Sequence, residues 1–389
     1  MPHFHCFSPR VIQFTLLAVL LPLLTSAQSP DSLSKYFTSV SLEDPDSAWH
    51  VLKPELKGKK LFLFGEVHGV AVNNILQLSL LKYLHKYANV RHLLLEVSPA
   101  EGFLYDHYLR TGEKKYLTTT TYSDILEDRR FWDSLYLFNK QQPSSQKIRV
   151  FGIDKADHLN FVQAMKVIFW ESKANDSLPY EFERVNNQLI HCVTKLKGFK
   201  KLRRLLKEDF VKQPNVYKDY LGDDFWYFRY TISNTLYRYS DRKRDLKMYQ
   251  NTLIIFDEFE QDNFLGVFGE AHVNTFQKNN YSLYYYLNDN ETIQDSIFTL
   301  HTHYKEVEAL YLGKVNRFRE SGLFLQKQKH FIVPNAFKTV FEQVESDITL
   351  MPLRLLIQAS YFGLHRKDFF LYIKNQKAET LVPLVKRKK

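Results

Sequence analysis

Four short runs of apolar residues, rich in β-branched and aromatic side chains, recur along the chain, and each ends in polar residues. They occupy residues 60–64, 90–95, 148–153 and 264–268. Continuous apolar runs of this length are typical of strands that are covered on both faces, as in a parallel sheet. Stretches with helical periodicity separate the runs, for example at residues 73–87. This alternation predicts an α/β fold, with a central, mostly parallel sheet flanked by helices.

A long, charged and tyrosine-rich region, residues 157–263, separates the third apolar run from the fourth. It contains several amphipathic stretches, and we interpret it as a helical insertion packed against the sheet. Residues 334–374 show further helical periodicity, which predicts a C-terminal helical layer. The pattern at residues 294–300 and 307–312 fits either strands or short helices. With no internal repeat, residues 28–389 are predicted to form a single α/β domain.

The first 27 residues have the order of a secretory signal peptide. A positive charge at Arg10 precedes an apolar run at residues 15–24, and small residues up to Ala27 follow. The run is too short for a comfortable membrane span, so we expect cleavage after Ala27 and a secreted or periplasmic protein. An uncleaved N-terminal anchor is the alternative. No later segment is long and apolar enough to cross a bilayer, so the mature chain is expected to lack a transmembrane span.

The chain is basic, with a formal net charge of +10 from 53 Lys and Arg against 43 Asp and Glu. Much of this charge lies at residues 195–207 and 386–389. A solvated helix face and a charged tail account for such clusters, and we expect no nucleic-acid partner for an exported protein. Contact with an anionic membrane surface stays open. Aromatic residues form 15% of the chain, which suffices for a core and a pocket for a small-molecule substrate.

The carboxyl ends of the four predicted strands all carry ionisable residues: Glu66 and His68, then Glu96, then Asp154, and finally Glu270 with His272. Ligands and catalytic groups of open parallel sheets gather at this edge, so we expect His68 and His272 to face one cavity. A histidine beside carboxylates gains basicity, which suits a general base. The same mixture of side chains is able to hold a divalent metal. Each residue alone has a structural explanation, but four converging strand ends favour a functional site.

One helix of the predicted insertion carries a further candidate. Arg244, Met248 and Asn251 lie at positions i, i+4 and i+7, and therefore share a helix face. Because guanidinium donors form a rigid fork, Arg244 and Asn251 are able to bind a substrate oxyanion or carboxylate. A solvated basic helix is the alternative, since Arg242 and Lys243 directly precede Arg244.

Taken together, these elements resemble the erythromycin-esterase-like family. They are, in chain order, Gly65-Glu66-Val67-His68-Gly69, Leu95-Glu96, Gly152-Ile153-Asp154, an Arg-Asp-x-x-Met-x-x-Asn string from Arg244 to Asn251, and His272. Their order matches that of the family, and they span residues 62–274. The last strand reads Gly-Glu-Ala-His, where typical esterases of the family show a His-Asn-x-His-like segment. The resemblance therefore leaves the role of Glu270 unassigned.

The resemblance implies hydrolysis of an ester or lactone by an activated water, without a nucleophilic serine. It makes His68 the base, gives Glu66 and Glu96 the task of orienting or tuning it, and assigns the oxyanion to Arg244 with His272. We assign Asp154, Asn251 and Glu270 to substrate binding. The chain has neither the Gly-x-Ser-x-Gly elbow of serine hydrolases nor the His-Glu-x-x-His helix of zincins.

Two other functions stay open. The paired Gly-x-x-His motifs, ending at His68 and His272, are also similar to the broader superfamily of Tiki-type metalloproteases and bacterial haem-binding lipoproteins. The first similarity implies a metal-dependent hydrolase in which both histidines and nearby glutamates are ligands. The second implies a protein that binds haem or another ligand without turnover. The leading hypothesis requires no cofactor and no metal-ligating residues, so none are expected, and a divalent metal stays an alternative.

Overall fold

The structure is a computed structural model. It describes residues 38–42, 44–118, 120, 124–171, 180–191, 196–234, 241–273, 281–311, 313–322, 344, 346–352 and 369–381. The expected signal peptide, its cleavage site and the basic 386–389 tail lie outside these residues. Within the described residues, no helix has both the length and the apolar character needed to cross a membrane.

The described residues form one sheet of nine strands. The strands are β1 Thr38–Ser39, β2 Leu61–Glu66, β3 Val90–Leu95, β4 Arg149–Gly152, β5 Asn263–Gly269, β6 Ile297–Tyr311, β7 Lys314–Gly322, β8 Ile348–Pro352 and β9 Phe369–Lys374. Their order is β1-β8-β9-β6-β2-β5-β3-β4, and β7 pairs with β6. The six strands from β9 to β4 are parallel, whereas β8 is antiparallel to β1 and β9, and β7 to β6. The mostly parallel α/β sheet is thus confirmed.

Helices flank this sheet. They are α1 Pro45–Trp49, α2 Val72–Tyr87, α3 Pro99–Thr111, α4 Leu126–Lys140, α5 His158–Lys166, α6 Glu183–His191, α7 Leu196–Lys212, α8 Pro214–Leu221, α9 Phe225–Ser233, α10 Asp241–Glu258, α11 Glu270–Val273 and α12 Leu283–Asn288. Helices α5 to α10 come between β4 and β5, in the region that we interpret as a helical insertion.

The sequence sets the ends of α3, a helix that contributes to the site. Ser98 caps its start, because the Ser98 hydroxyl accepts a hydrogen bond from the Glu101 backbone N–H at 3.2 Å. Pro99 occupies the first turn, where no backbone donor is needed. Gly112 follows the last turn with a left-handed φ of 77°. At Gly102 the helix approaches β4 so closely that a Cβ atom would lie 2.0 Å from a backbone nitrogen.

Strand β2 lies between β6 and β5, in the middle of the parallel strands. Its residues 61–64 are at most 1% exposed, as expected for a strand with helices on both faces. Glu66 lies opposite Gly269 of β5, and Leu95 of β3 lies opposite Val267 of β5 and Gly152 of β4. This register brings the carboxyl ends of all four strands to one edge of the sheet.

The prediction of a C-terminal helical layer at residues 334–374 is wrong for the part of this region that the structure describes. The described parts of that region include strands β8 and β9, which extend the sheet. Five of the six β9 residues are buried, because the strand packs between β6 and β8. An apolar run covered on both faces has no strict alternation, so its periodicity does not separate strand from helix. Of the two stretches whose pattern fits either strands or short helices, residues 297–300 and 307–311 belong to the single long strand β6.

Candidate functional site

His68 lies between two carboxylates that follow different strands. Its Nδ1 is 2.8 Å from Glu66 Oε1, and its Nε2 is 3.4 Å from Glu96 Oε2. Strand β5 separates β2 from β3, and its last residue, Gly269, donates its backbone N–H to Glu96 Oε2 at 2.8 Å. A Cβ atom at Gly269 would lie 2.9 Å from His68 Nε2. The glycine of the second Gly-Glu-x-His motif therefore leaves room for the histidine of the first.

The turn after β2 is held from several directions. Gln77 of α2 donates a short hydrogen bond to Glu66 Oε2. The Asn73 side chain donates to the Val67 carbonyl at 2.8 Å and accepts from the Tyr304 hydroxyl at 2.7 Å. The Gln77 bond fixes the carboxylate of Glu66 and the Asn73 bonds fix the backbone of the turn, so the Glu66–His68 pair is preorganised.

Arg244 points from α10 toward the sheet edge rather than into solvent. Its Nε and Nη2 donate to the two carboxylate oxygens of Asp154 at 2.9 and 2.6 Å, and Nη2 also donates to Glu96 Oε1 at 2.5 Å. The Arg244 side chain is 24% exposed, while Met248 on the same face is fully buried. Lys243 is exposed. Arg244 is therefore not part of a solvated helix face. It lies on the same inward face of α10 as Met248, as the helical spacing predicts.

His272 reaches the same glutamate from the opposite side. Its Nε2 is 3.2 Å from Glu96 Oε1, and its Nδ1 makes a short contact with Asp245. Asp245 also accepts the Leu283 backbone N–H at 3.0 Å. His68 and His272 thus share Glu96 at one edge of the sheet, but His272 does not line the cleft beside His68, so the expectation that both histidines face one cavity is not met. The supporting role of Asp245 was not foreseen from the sequence.

Electrostatics fixes the charges of these groups at neutral pH. Burial lowers the pKa of His68, but its contacts with Glu66 and Glu96 outweigh burial and raise that pKa well above its ordinary value. Burial likewise lowers the pKa of His272, and contacts with Asp245 and Glu96 raise it to about 9. Burial raises the pKa of Glu96, but both histidines hold it well below its usual range. Both imidazoles are cationic at neutral pH, and Glu96 is ionised.

The three residues assigned to substrate binding take part in structural contacts instead. Glu270 is 3% exposed and accepts from His301 Nδ1 at 2.9 Å. Asn251 donates to the Ile153 carbonyl at 2.7 Å, and Asp154 receives the fork of Arg244. None of these three lines the cleft beside His68.

The turn at the end of β5 explains the position of Glu270. Helix α11 begins at Glu270, so Glu270 and His272 lie on a helix rather than on an extended strand. Residues two apart on a helix differ by about 200° in direction, whereas on a strand they share a face. Glu270 therefore turns toward β6, and its carboxylate fills the space where Gly65 has no side chain.

A narrow cleft with a cavity volume of about 70 Å³ opens beside His68 and Glu66. Its apolar wall consists of Leu95, Val97, Tyr105, Phe131, Trp132 and Val267. Tyr105 of α3 and Trp132 of α4 stack with ring centroids 4.0 Å apart. The His68 side chain remains 44% exposed, so a molecule in this cleft has access to its imidazole. His272, Arg244 and the other groups behind Glu96 do not line the cleft.

Two carboxylates that line the cleft were not identified from the sequence. Asp128 lies in the first turn of α4, and Glu379 lies in the C-terminal segment after β9. The Glu379 backbone N–H donates to the Gly69 carbonyl at 2.9 Å, which attaches this segment to the turn that bears His68. Asn74 of α2 donates to Glu379 Oε1 at 3.2 Å and also interacts with the Asp128 carboxyl group. Neither carboxylate follows a strand or belongs to a motif, so no sequence signal identified them.

In the described ranges, no group of three or more His, Cys, Asp or Glu side chains is arranged to hold a metal ion. The metal-dependent alternative stays a prediction for experiment.

Three solved structures share this fold. A protein from Bacillus cereus is 17% identical, with a TM-score of 0.61 over 90% of this chain and 98% of its own. A succinoglycan biosynthesis protein is 14% identical, with a TM-score of 0.63 over 90% and 97% of the two chains. A mutant of the erythromycin esterase EreC in its open conformation is 12% identical, with a TM-score of 0.56 over 90% and 100%. No family model and no curated protein matches the sequence. At these identities, the likeness is one of fold.

Proposed function

We propose that this protein is an exported hydrolase that cleaves an ester, a lactone or a similar carbonyl substrate with a water molecule activated by His68. The observation that carries the proposal is the position of His68, held between Glu66 and Glu96 and 44% exposed beside the cleft. The fold shared with an erythromycin esterase supports the reaction class. The order of charged, apolar and small residues at the N-terminus supports export.

The two nitrogens of His68 have different tasks in this mechanism. At 2.8 Å, Nδ1 makes a good hydrogen bond to Glu66, which fixes the ring and the tautomer of the neutral imidazole. Nε2 is 3.4 Å from Glu96, too far for a strong bond, so its lone pair is available to a water molecule. Neutral His68 takes a proton from this water as the water oxygen attacks the carbonyl carbon.

Because the pKa of His68 is raised, only a minor fraction of the imidazole is neutral at pH 7. The rate should therefore increase as the pH rises toward the pKa of His68. A base of raised pKa is also a stronger proton acceptor, which compensates in part for its smaller neutral fraction.

Arg244 acts through Glu96 in this account. Its Nε and Nη2 donate to Asp154 and Glu96, and its Nη1 is 3.2 Å from His272 Nε2. These contacts favour a positioning role over direct binding of the oxyanion. His68 and His272 keep Glu96 ionised, and the hydrogen bond from Arg244 holds the Glu96 carboxylate in place.

A screen of purified protein on aliphatic esters, lactones and peptides, with and without a chelator, tests the reaction class. His68→Ala is the test variant, and His50→Ala is the control, because His50 is an exposed histidine that does not line the cleft. We expect hydrolysis of an ester or lactone that chelation leaves unchanged and that only His68→Ala abolishes. Loss of activity on chelation, restored by a divalent metal, would support the metal-dependent alternative instead.

A further inference from the structure

The cleft contains two acidic groups for which the mechanism above has no use. Asp128 and Glu379 line it together with Glu66 and His68. Asn74 donates to Glu379 Oε1 at 3.2 Å and also interacts with the Asp128 carboxyl group, so the two acidic groups lie on the same side of the cleft. The Oδ2 atom of Asp128 is buried and has no hydrogen-bonding partner among the residues that the structure describes. Buried polar atoms are rarely left without a partner, which indicates a functional position.

The charged groups around Asp128 determine its protonation. Glu66 faces it from the end of β2, Glu379 from the C-terminal segment, and Glu127 from its own helix. Burial and these negative charges raise the pKa of Asp128 to about 9. Burial and the charge of Glu66 raise the pKa of Glu379 to about 7. At neutral pH, Asp128 is therefore a carboxylic acid with a proton to donate.

We propose that Asp128 is a catalytic acid of the proposed hydrolysis, and that it donates its proton to the oxygen of the leaving alcohol. The assignment rests on the proposed function. Water adds to the carbonyl carbon while His68 takes its proton, which gives a tetrahedral oxyanion. The bond from this carbon to the alcohol oxygen then breaks, its electron pair stays on the oxygen, and the proton of Asp128 moves to that oxygen. The proton on His68 returns to Asp128 through solvent, so one water is consumed for one acid and one alcohol.

This role identifies a class of substrate. An alkoxide is a poor leaving group and requires a proton as the bond breaks, whereas an acidic phenol leaves as its anion. A catalytic acid at Asp128 therefore fits esters or lactones of aliphatic alcohols. The apolar wall formed by Phe131, Trp132 and Val97 fits an apolar part of such a substrate.

Two esters with one acyl group, an alkyl ester and a p-nitrophenyl ester, separate this role from a structural one. We expect Asp128→Asn to lower kcat/KM for the alkyl ester by about 100-fold or more and to leave the p-nitrophenyl ester nearly unchanged. Asp124→Asn is the control, because Asp124 is 65% exposed just before the same helix. Glu379→Gln removes a negative charge beside Asp128, so the rate for the alkyl ester should begin to fall at a lower pH than in the wild type.

Thermal unfolding provides a readout besides activity. Because the pKa of Asp128 is raised on folding, from its ordinary value of 3.8 to about 9, the protein loses stability as the pH rises through this range. Asn carries no such cost, so Asp128→Asn should raise the unfolding midpoint, and by more at alkaline pH than at about pH 5. If Asp128→Asn lowered kcat/KM equally for both esters, the role of Asp128 as catalytic acid would be overturned, but not the hydrolase proposal. A difference in unfolding midpoint that does not change with pH would have the same consequence. A wild type that cleaves neither these esters nor the screened panel would overturn the hydrolase proposal, and the acid with it.

Discussion

The Nδ1 atom of His68 lies 2.8 Å from the Oε1 atom of Glu66, two residues earlier in the chain. The pair occupies the end of the central strand β2, where the buried part of the sheet gives way to the cleft. The carboxylate belongs to the sheet and is fixed by Gln77, while the imidazole is still reached by solvent. This combination of a fixed partner and an accessible ring is what a general base requires.

Glu66→Gln should shift the pH dependence of turnover to lower pH. Glu66 is a main cause of the raised pKa of His68, so its loss lowers that pKa and leaves more imidazole neutral at pH 7. The acidic limb of kcat/KM should move down by about one pH unit, while the plateau falls because the base is weaker. Glu113→Gln, at an exposed position, is the control. A limb that does not move would show that His68 is not the titrating group.

Arg244→Ala should lower both stability and turnover. Its loss leaves Asp154 without its cation and Glu96 with only its two histidine partners, and we expect a decrease of about 2–3 kcal/mol in the free energy of unfolding, measured by urea titration. Arg244→Lys should restore only part of it, since an ammonium group cannot reproduce the fork. Lys243→Ala, at the exposed neighbouring position, should change stability by less than about 0.5 kcal/mol. Equal stability of all three variants would mean that the contacts of Arg244 with Asp154 and Glu96 do not stabilise the protein.

His272 should stabilise the protein in a defined pH range. Its pKa rises from 6.5 to about 9 on folding, so its stabilisation is complete below pH 6.5 and is lost as the pH rises through about 9. His272→Gln should therefore have a lower unfolding midpoint than the wild type near pH 6, and the two should approach each other above about pH 9. A midpoint difference that grows with pH would mean that His272 is buried in its neutral form.

Gly269→Ala and Gly152→Ala should differ sharply. A Cβ at Gly269 would meet the end of the His68 side chain at 2.9 Å, and that side chain is able to move. The fold should survive while kcat/KM falls by about 100-fold, since small displacements of a base are costly. A Cβ at Gly152 would lie 2.0 Å from a backbone oxygen at Ser98, which cannot move freely. That variant should lose about 2–3 kcal/mol of stability, measured by urea titration. A Gly269→Ala enzyme with full activity would contradict the placement of His68.

The central strands and the residues that follow them could be predicted from the sequence, because local apolar runs determine both. Each of Glu66, His68, Glu96 and His272 lies within four residues of the end of such a run, and the parallel topology then brings them together. The position of Arg244 on one face of α10 could also be predicted, because helical spacing is a local property of the sequence.

The rest depends on contacts between distant parts of the chain. Glu379 enters the cleft because its segment pairs with the turn at Gly69 and Val70, about 300 residues earlier. Asp128 gains its unusual environment from burial and from Glu379 and Glu66, both distant in sequence, while its neighbour Glu127 contributes less. The position of Glu270 depends on a strand changing to a helix within one residue, and boundaries of that kind are poorly encoded in sequence patterns.

Rescue of His68→Ala by added imidazole tests the central claim most directly. The measurement is kcat/KM for the best ester or lactone of the screen, with and without imidazole, at a pH where imidazole is neutral. We predict a loss of about 100-fold or more in the variant, of which imidazole restores a substantial part because it replaces the missing base in the exposed cleft. A folded His68→Ala protein that hydrolyses the substrate at the wild-type rate would contradict the account.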